Sequence, residues 1–477
     1  MGRPLQSMSD INDSGECLRR LTRRLQAALS LKRDTLWSQS QILSYLLRIF
    51  SVSAPYLLRI FSVPPLADPS LQIHRLLDNL IGMASEPHLD KQVVLRKKED
   101  RRVVSGHPWV FSNEIQEVSG KPAIGDVVEL RAASGLSLGI GFYNPHSLIA
   151  FRMLSRTMEQ VDVQFFERRL TSALELRRRL YPDGNSFRLV HGEGDFLPGL
   201  IIDKFNDYLC VQTLAYGMDA RLPLICDVLE SLLRPKGIIE RNESSLRTLE
   251  GLDQKKGIIR GTSAPTTILE HGLQFLVDPL EGQKTGFFLD QRENRLIIRR
   301  YARGNSILDC FCNDGGFALN AAAEGAVSVT GIDVSEEAIK RSRHNAEVNS
   351  LGSVQFEQHD VFDRLRDYSN AGTHFDVVVL DPPSFTRSRK TVPAAKKGYK
   401  DLHLRALSVL RKGGILLSSS CSHHIEPDVF LFLLDESARK AGRTLQMLDW
   451  RGAAPDHPTL PQVPETRYLK FGVFRAF

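Results

Sequence analysis

Two apolar runs each end in a residue capable of chemistry. GGILLSSSC (413–421) closes on Cys421, and FDVVVLD (375–381) closes on Asp381 some 40 residues earlier. If both runs are neighbouring strands of one parallel sheet, thiol and carboxylate share the rim outside the strands' carboxyl ends. That rim is where such sheets bind ligands. A thiol able to add to a flat base, with a carboxylate beside it, is what methylating an unactivated aromatic carbon requires. The bland alternative for Cys421 is a small buried strand-end residue, since free cysteine is often buried.

A second series of strand ends lies just upstream. NSILDCFCNDGGFALNAAAEGA (305–326) reads as strand, glycine turn and helix, with Asp309 near the strand's end. Gly315-Gly316 would let the backbone approach a ligand at the helix N-terminus. VSVTGIDV (327–334) presents Asp333, placed to hydrogen-bond a ribose diol. VQFEQHDVF (354–362) presents Asp360, a candidate acceptor for an adenine amino group. Asp333 and Asp360 could each instead be a helix cap. Taken in order and followed by DPPSF (381–385), these strand ends resemble the class I S-adenosylmethionine-dependent methyltransferases. A P-loop is excluded, because EGQKTG (281–286) has no glycine directly before Lys284.

These strand ends need a doubly wound parallel sheet, and from about 283 to the C-terminus strands alternate with helices as such a sheet demands. Upstream, residues 92–157 show short strands punctuated by glycine and proline, the pattern of a small β-barrel. Residues 160–280 read as an α+β unit, with helices at 162–181 and about 218–234 around a strand pair at 187–214. Residues 1–82 stand apart. They repeat the octamer YLLRIFSV at 45–52 and 56–63, and arginines and a proline break the apolar run. That run is too interrupted for a membrane span, which needs roughly 18 apolar residues. This segment is expected to be an extension or a mis-assigned start, poorly ordered, with a targeting segment as the weaker reading.

The bulk numbers fit a soluble globular chain, with 42% apolar and 25% charged residues among 477. Six cysteines without a CxxC pair or zinc-type spacing point to a reducing, cytoplasmic setting and no metal. The net charge of +6 misleads, because residues 1–82 carry ten Lys/Arg against six Asp/Glu. The remainder is nearly balanced, so affinity for nucleic acid must come from local patches. Candidates are Arg96 to Arg102, Arg177-Arg178-Arg179, and the run from Arg387 to Lys400 that contains Lys390. Any one of them is more often just a solvated surface.

One resemblance orders the remaining segments. HPWVF (107–111), RLVHGEGDFLPGLIIDKF (188–205), KTGFFLDQRENR (284–295), DCFCNDGGFA, DPPSF, GYKDL (398–402), SCS and DHP…PETRYLK (456–470) occur in sequence. Together they resemble the bacterial large-subunit (23S) ribosomal RNA cytosine-C5 methyltransferases with an N-terminal PUA domain, from about residue 92 to the end. The resemblance implies an α/β fold, a Rossmann-like class I methyltransferase domain at 283–477. A PUA β-barrel at 92–157 and a central α+β domain at 160–280 would precede it. It implies S-adenosyl-L-methionine as cofactor, held by Asp309, Phe311, Gly315, Gly316, Asp333, Asp360 and Val361, with Asp290 and Gln291 flanking. Large-subunit rRNA would be the partner, contacted by His107, Trp109, Phe385, Lys390 and Lys400, with no membrane and no metal. A homodimer stays open. For Trp109 a core position, and for Asp290 a helix cap, remain alternatives.

Cytosine C5 is too weak a nucleophile to take a methyl group unaided. A thiolate added at C6 would activate it, and this assigns Cys421 as nucleophile and Asp381 as the group holding the N3/N4 edge. The site is then expected to depress the thiol's pKa, with His423, His424 or a lysine of 390–400 as the cation. DPPSF lacks the second cysteine that many RNA cytosine-C5 enzymes carry, so the base removing the C5 proton is unassigned. Cys310 and Cys312 read as small buried side chains. DPPSF also resembles the motif of methyltransferases acting on base amino groups, which need no thiol; a non-catalytic RNA-binding factor is the remaining alternative.

Overall fold

The computed structural model describes residues 89–386 and 388–477. The expectations for residues 1–82, and Arg387, lie outside them. Strands Gln92–Leu95, Trp109–Val110, Ile115–Ser119, Val127–Arg131, Ser137–Tyr143 and Phe151–Ser155 form one six-stranded sheet. It is antiparallel except where Gln92–Leu95 runs beside Val127–Arg131. Inward side chains such as Val93, Leu95, Val128, Leu130 and Phe151 close a core of their own. HPWVF does not continue as one strand. The Glu114 carboxylate accepts the Phe111 N–H at 2.7 Å and ends pairing in a 3₁₀ turn at Ser112–Glu114.

The middle of the chain is larger than its sequence suggests. The helix Val163–Leu180 starts at Asp162, whose carboxylate accepts the Phe165 N–H at 3.0 Å. It buries Phe165, Phe166, Leu170, Ala173 and Leu174 against a five-stranded sheet. That sheet holds Ser186–His191, Leu200–Phe205, Tyr208–Thr213, Gly237–Asn242 and Lys255–Gly261. The segment read as a strand pair is three strands. Lys255–Gly261, an edge strand with mostly exposed or half-buried residues, carries too little apolar pattern to be legible. The helix expected at 218–234 is interrupted; Pro223 sits in the first turn of Leu222–Leu233 and cannot continue a preceding helix. A hairpin, Thr266–Glu270 with Leu273–Val277, turns at His271-Gly272, both at positive φ.

The last sheet has seven strands: β1 (Ser306–Cys310), β2 (Ser328–Asp333), β3 (Gln355–Gln358), β4 (Phe375–Leu380), β5 (Leu410–Ser420), β6 (Leu445–Arg451) and β7 (Lys470–Ala476). Helices α1 (Gly316–Ala323), α2 (Glu336–Val348), α3 (Val361–Asn370), α4 (Val392–Val409) and α5 (Pro427–Lys440) connect them. The order across the sheet is β3-β2-β1-β4-β5-β7-β6. β1 to β5 are parallel, while β7 runs antiparallel to both β5 and β6. Both faces are covered, which is why these strands read as continuous apolar runs. Ile307, Val377 and Val379 join one core and Leu308, Val378 and Leu380 the other. The first of these cores continues through Phe275 of the hairpin to Phe205 and Ile239 of the five-stranded sheet. The strand order reverses between β1 and β4, which creates the crevice at the strands' carboxyl ends.

Candidate active site

At the end of β1, Phe311, Asn313 and Gly315 all adopt positive φ, folding the chain tightly before α1. This turn buries Asp309 completely. Its Oδ2 accepts the Ala318 N–H at 2.9 Å, while its Oδ1 is buried without a partner. Burial pushes the Asp309 carboxyl up to about 8, with Asp381 and Asp333 adding to the effect against the Ala318 bond. Asp333 is half-buried and accepts the Asn313 N–H at 3.0 Å and the Ser335 N–H at 2.9 Å. Asp360 is exposed and caps α3, its Oδ1 accepting the Asp363 N–H at 3.0 Å; Val361, next in line, is buried.

Packing restricts both positions of the glycine pair. A Cβ on Gly315 would lie 3.0 Å from the Phe356 ring, and one on Gly316 would lie 2.3 Å from Cδ of Arg295. The protein's own side chains take that space, so close packing and the positive φ at Gly315 explain these residues.

β4 and β5 are adjacent and parallel, with Leu380 opposite Ser418, so Asp381 and Cys421 emerge from neighbouring strand ends. Asp381 is held from outside its own loop. Its Oδ1 accepts the Gln291 amide N–H at 2.8 Å and the Ser419 hydroxyl. Among the described residues its Oδ2 accepts no hydrogen bond. Burial raises the Asp381 carboxyl, and the Asp290 charge raises it further. Gln291 is itself fixed, because its Oε1 accepts the Asn294 side-chain N–H at 2.7 Å.

Asp290 and Gln291 thus stand at the rim of β4 and β5. The Tyr468 hydroxyl donates to Asp290 Oδ2 at 2.5 Å, and Asp290 Oδ1 is buried without a partner. Burial opposes ionisation of Asp290, yet Lys284, His457, Tyr468 and Arg188 together hold its carboxyl well below the usual range.

Cys421 is half-buried and forms no hydrogen bond among the described residues. Burial pushes its thiol up, Lys284 opposes this, Asp381 and Asp290 reinforce it, and Lys470 opposes it. The expected depression is therefore not present in the free protein. The cations acting on the sulfur are Lys284 and Lys470, in place of His423, His424 or a lysine of 390–400. Sequence reasoning left Lys284, Tyr468 and Lys470 without roles, although KTGFFLDQRENR and PETRYLK contain them.

The residues expected to touch RNA are dispersed. His107 is buried, its Nε2 lying 3.5 Å from the Glu465 carboxylate. The Trp109 indole N–H donates to Glu193 at 2.8 Å, bridging the first sheet to the turn after His191. Both positions suit contacts inside the protein. Phe385 is half-buried, its ring centroid 4.6 Å from that of Tyr399. Lys400 donates to Glu436 at 3.2 Å, whereas Lys390 is exposed. Among the described residues, no group of three or more His, Cys, Asp or Glu is arranged to hold a metal ion, and no helix is long and apolar enough to cross a membrane.

Comparison with known proteins adds an independent line. Residues 259–475 match an S-adenosylmethionine-dependent methyltransferase family, and residues 93–156 match a PUA-like domain. Ribosomal RNA large subunit methyltransferase I of Tolumonas auensis is 39% identical over 392 residues, covering 80% of this chain and 99% of the relative. The Escherichia coli O157:H7 protein of the same name is 37% identical over 386 residues, covering 80% and 98%. Among solved structures, a protein described as a methyltransferase and crystallised with SAH superposes with a TM-score of 0.71 at 21% identity, covering 80% of this chain and 99% of its own. A structure from Streptococcus mutans, described as a SAM-dependent methyltransferase, gives 0.69 at the same identity and coverage. At that identity the two structures speak for the fold alone.

Proposed function

Because the chain belongs to the ribosomal RNA large subunit methyltransferase I family, we propose that it methylates C5 of a cytosine in large-subunit rRNA through a covalent bond from Cys421. Residues 92–157 would act as the RNA-binding module, with 160–280 and 283–477 forming the cleft and the catalytic unit. The cofactor, S-adenosylmethionine, supplies an electrophilic sulfonium methyl when bound. The buried orphan oxygen of Asp309 fits an N–H donor such as its amino group, and Asp333 retains lone pairs for its ribose hydroxyls.

The observation that carries the reading is the pair of neighbouring strand ends. They present a carboxyl with one oxygen tied down and a thiol with no partner. With Gln291 and Ser419 both donating to Oδ1, a proton on Asp381 belongs on Oδ2. There it can be donated to the acceptor N3 of cytosine, and burial favours this neutral form. Protonation at N3 draws electrons from C6 as the Cys421 sulfur adds there. C5 becomes enamine-like and takes the methyl group. The C5 proton then passes to water and the N3 proton returns to Asp381, which restores the C5=C6 bond and expels the thiolate, splitting one difficult substitution into easier steps.

The test is incubation of the purified protein with tritiated cofactor and undermethylated large-subunit rRNA, followed by identification of the labelled nucleoside. Labelled 5-methylcytidine is expected. Label on a base amino group or on guanine would overturn the C5 assignment, and no label at all would leave a non-catalytic RNA-binding protein.

A further inference from the structure

We propose that Lys470 is the proton acceptor for Cys421: its amine takes the thiol proton as the sulfur attacks, and the ammonium so formed stays beside the sulfur. This rests on the covalent reading above and supplies a base for the thiol in its first step, a separate role from removal of the C5 proton. Lys470 opens β7, and its Cα pairs directly with that of Ser420, the residue before Cys421. The side chain is buried, and its Nζ donates to the Ser422 carbonyl at 2.8 Å and to the Tyr468 carbonyl at 2.7 Å. Among the described residues it forms no ion pair.

This geometry suits a neutral amine. Ammonium carries three N–H bonds and would leave one without an acceptor, whereas the amine carries two and a lone pair. The Ser422 carbonyl, next to the cysteine, and the Tyr468 carbonyl take the two N–H bonds, and the lone pair remains for a proton. Burial also holds the Lys470 amine down, to about 8, against Cys421 and Glu426, which favour the charged form, so a minor share of the chains carries the free amine at neutral pH.

The other groups around the pair cannot take this role. The Lys284 side chain is engaged elsewhere, its Nζ lying 4.0 Å from the centre of the Phe288 ring. Asp381 already carries the proton it gives to N3, and Asp290, held well below the usual carboxylate range, is too weak a base. Tyr399 and Tyr468 are both raised by burial and stay neutral phenols. His423 is lowered by burial, then by His424 and Lys470. In the step itself the S–H bond breaks, an N–H bond forms on Lys470, and the sulfur lone pair makes the S–C6 bond. No external electron donor or acceptor is needed.

The experiment is the pH profile of Cys421 alkylation by iodoacetamide, read by peptide mass spectrometry on the full chain with and without Lys470→Met. The variant should move the midpoint up by about one pH unit or more and slow alkylation roughly tenfold at neutral pH. An unchanged profile overturns the proposal. A second measurement does not depend on that variant folding. In the wild-type chain an isotope-labelled Lys470 side chain should titrate together with the cysteine, and Cys421→Ser should lower its midpoint. A Lys470 that stays protonated from about pH 6 to 10 in both proteins also sinks the idea. Alkylation needs no RNA, so failure here leaves the product nucleoside untouched. Failure of the covalent reading shows instead as a product other than 5-methylcytidine.

Discussion

The ends of β1, β2 and β3 and the ends of β4, β5 and β7 lie on one sheet, yet they hold their carboxylates by different means. In the first group the three candidate cofactor carboxylates bond to loop backbone: Asp309 to Ala318, Asp333 to Asn313 and Ser335, Asp360 to Asp363. In the second group the partners are side chains from distant segments. Asp381 is held by Gln291, 90 residues away, and Asp290 by Tyr468, 178 residues away. A ligand site built on loop backbone tolerates substitution in other domains. A site built on convergent side chains depends on the whole fold being in place.

The comparison breaks first at Cys421. Cys421→Ala should lower turnover by about a thousandfold or more, because covalent catalysis is lost outright. Cofactor affinity, measured by calorimetry, should stay near that of the wild type, since the first group of strand ends is untouched. Substantial residual methylation would remove the thiol from the mechanism. Gln291→Ala should come next, at about tenfold to a hundredfold in kcat, by releasing Asp381 from one of its two donors. Cofactor Kd should again be unchanged. A parallel rise in Kd would instead place Gln291 against the cofactor, as its position before the first strand suggests.

Asp333→Ala tests the other side. It removes the acceptor of two backbone N–H bonds and the proposed ribose contact. About tenfold weaker cofactor binding is expected, equivalent to ~1.4 kcal/mol, with kcat at saturation nearly preserved. A loss in kcat with unchanged Kd would erase the division between the two groups.

This division also explains what the sequence could reveal. Asp309, Asp333 and Asp360 were legible because strand, turn and helix follow one another within a few residues, and each has a backbone partner in its own turn or the helix it opens. Asp381 and Cys421 were legible as strand ends, and their adjacency followed from a doubly wound sheet. Lys284, Tyr468 and Lys470 were not, because a cation or phenol in a motif says nothing of which distant sulfur or carboxylate it will face. The error over the thiol had the same origin. Chain proximity points to His423, His424 or a lysine of 390–400 as its cation, while the fold brings the cations from residue 284 and from β7. His107 and the half-buried Trp109 also meet Glu465 and Glu193 from other segments, partners that their own motif does not reveal.

The smallest effect is expected at Asp360, where two roles coincide. The carboxylate caps α3 and is also proposed to meet the adenine amino group, so Asp360→Ala would confuse stability with binding. Its lost cap alone should cost about 1 kcal/mol, a fall of roughly 2–4 °C in Tm. Asp360→Ser separates the two, because a serine hydroxyl can accept the Asp363 N–H as the carboxylate does. Tm should then stay close to the wild type. If the carboxylate also receives the adenine amino group, the Ser variant should bind cofactor about three- to tenfold more weakly, the worth of one hydrogen bond. Unchanged Kd in a fully stable Ser variant would reduce Asp360 to a helix cap. The adenine end of the pocket would then rest on apolar contacts around Val361 and on loop backbone, and β3 would contribute no side chain to recognition.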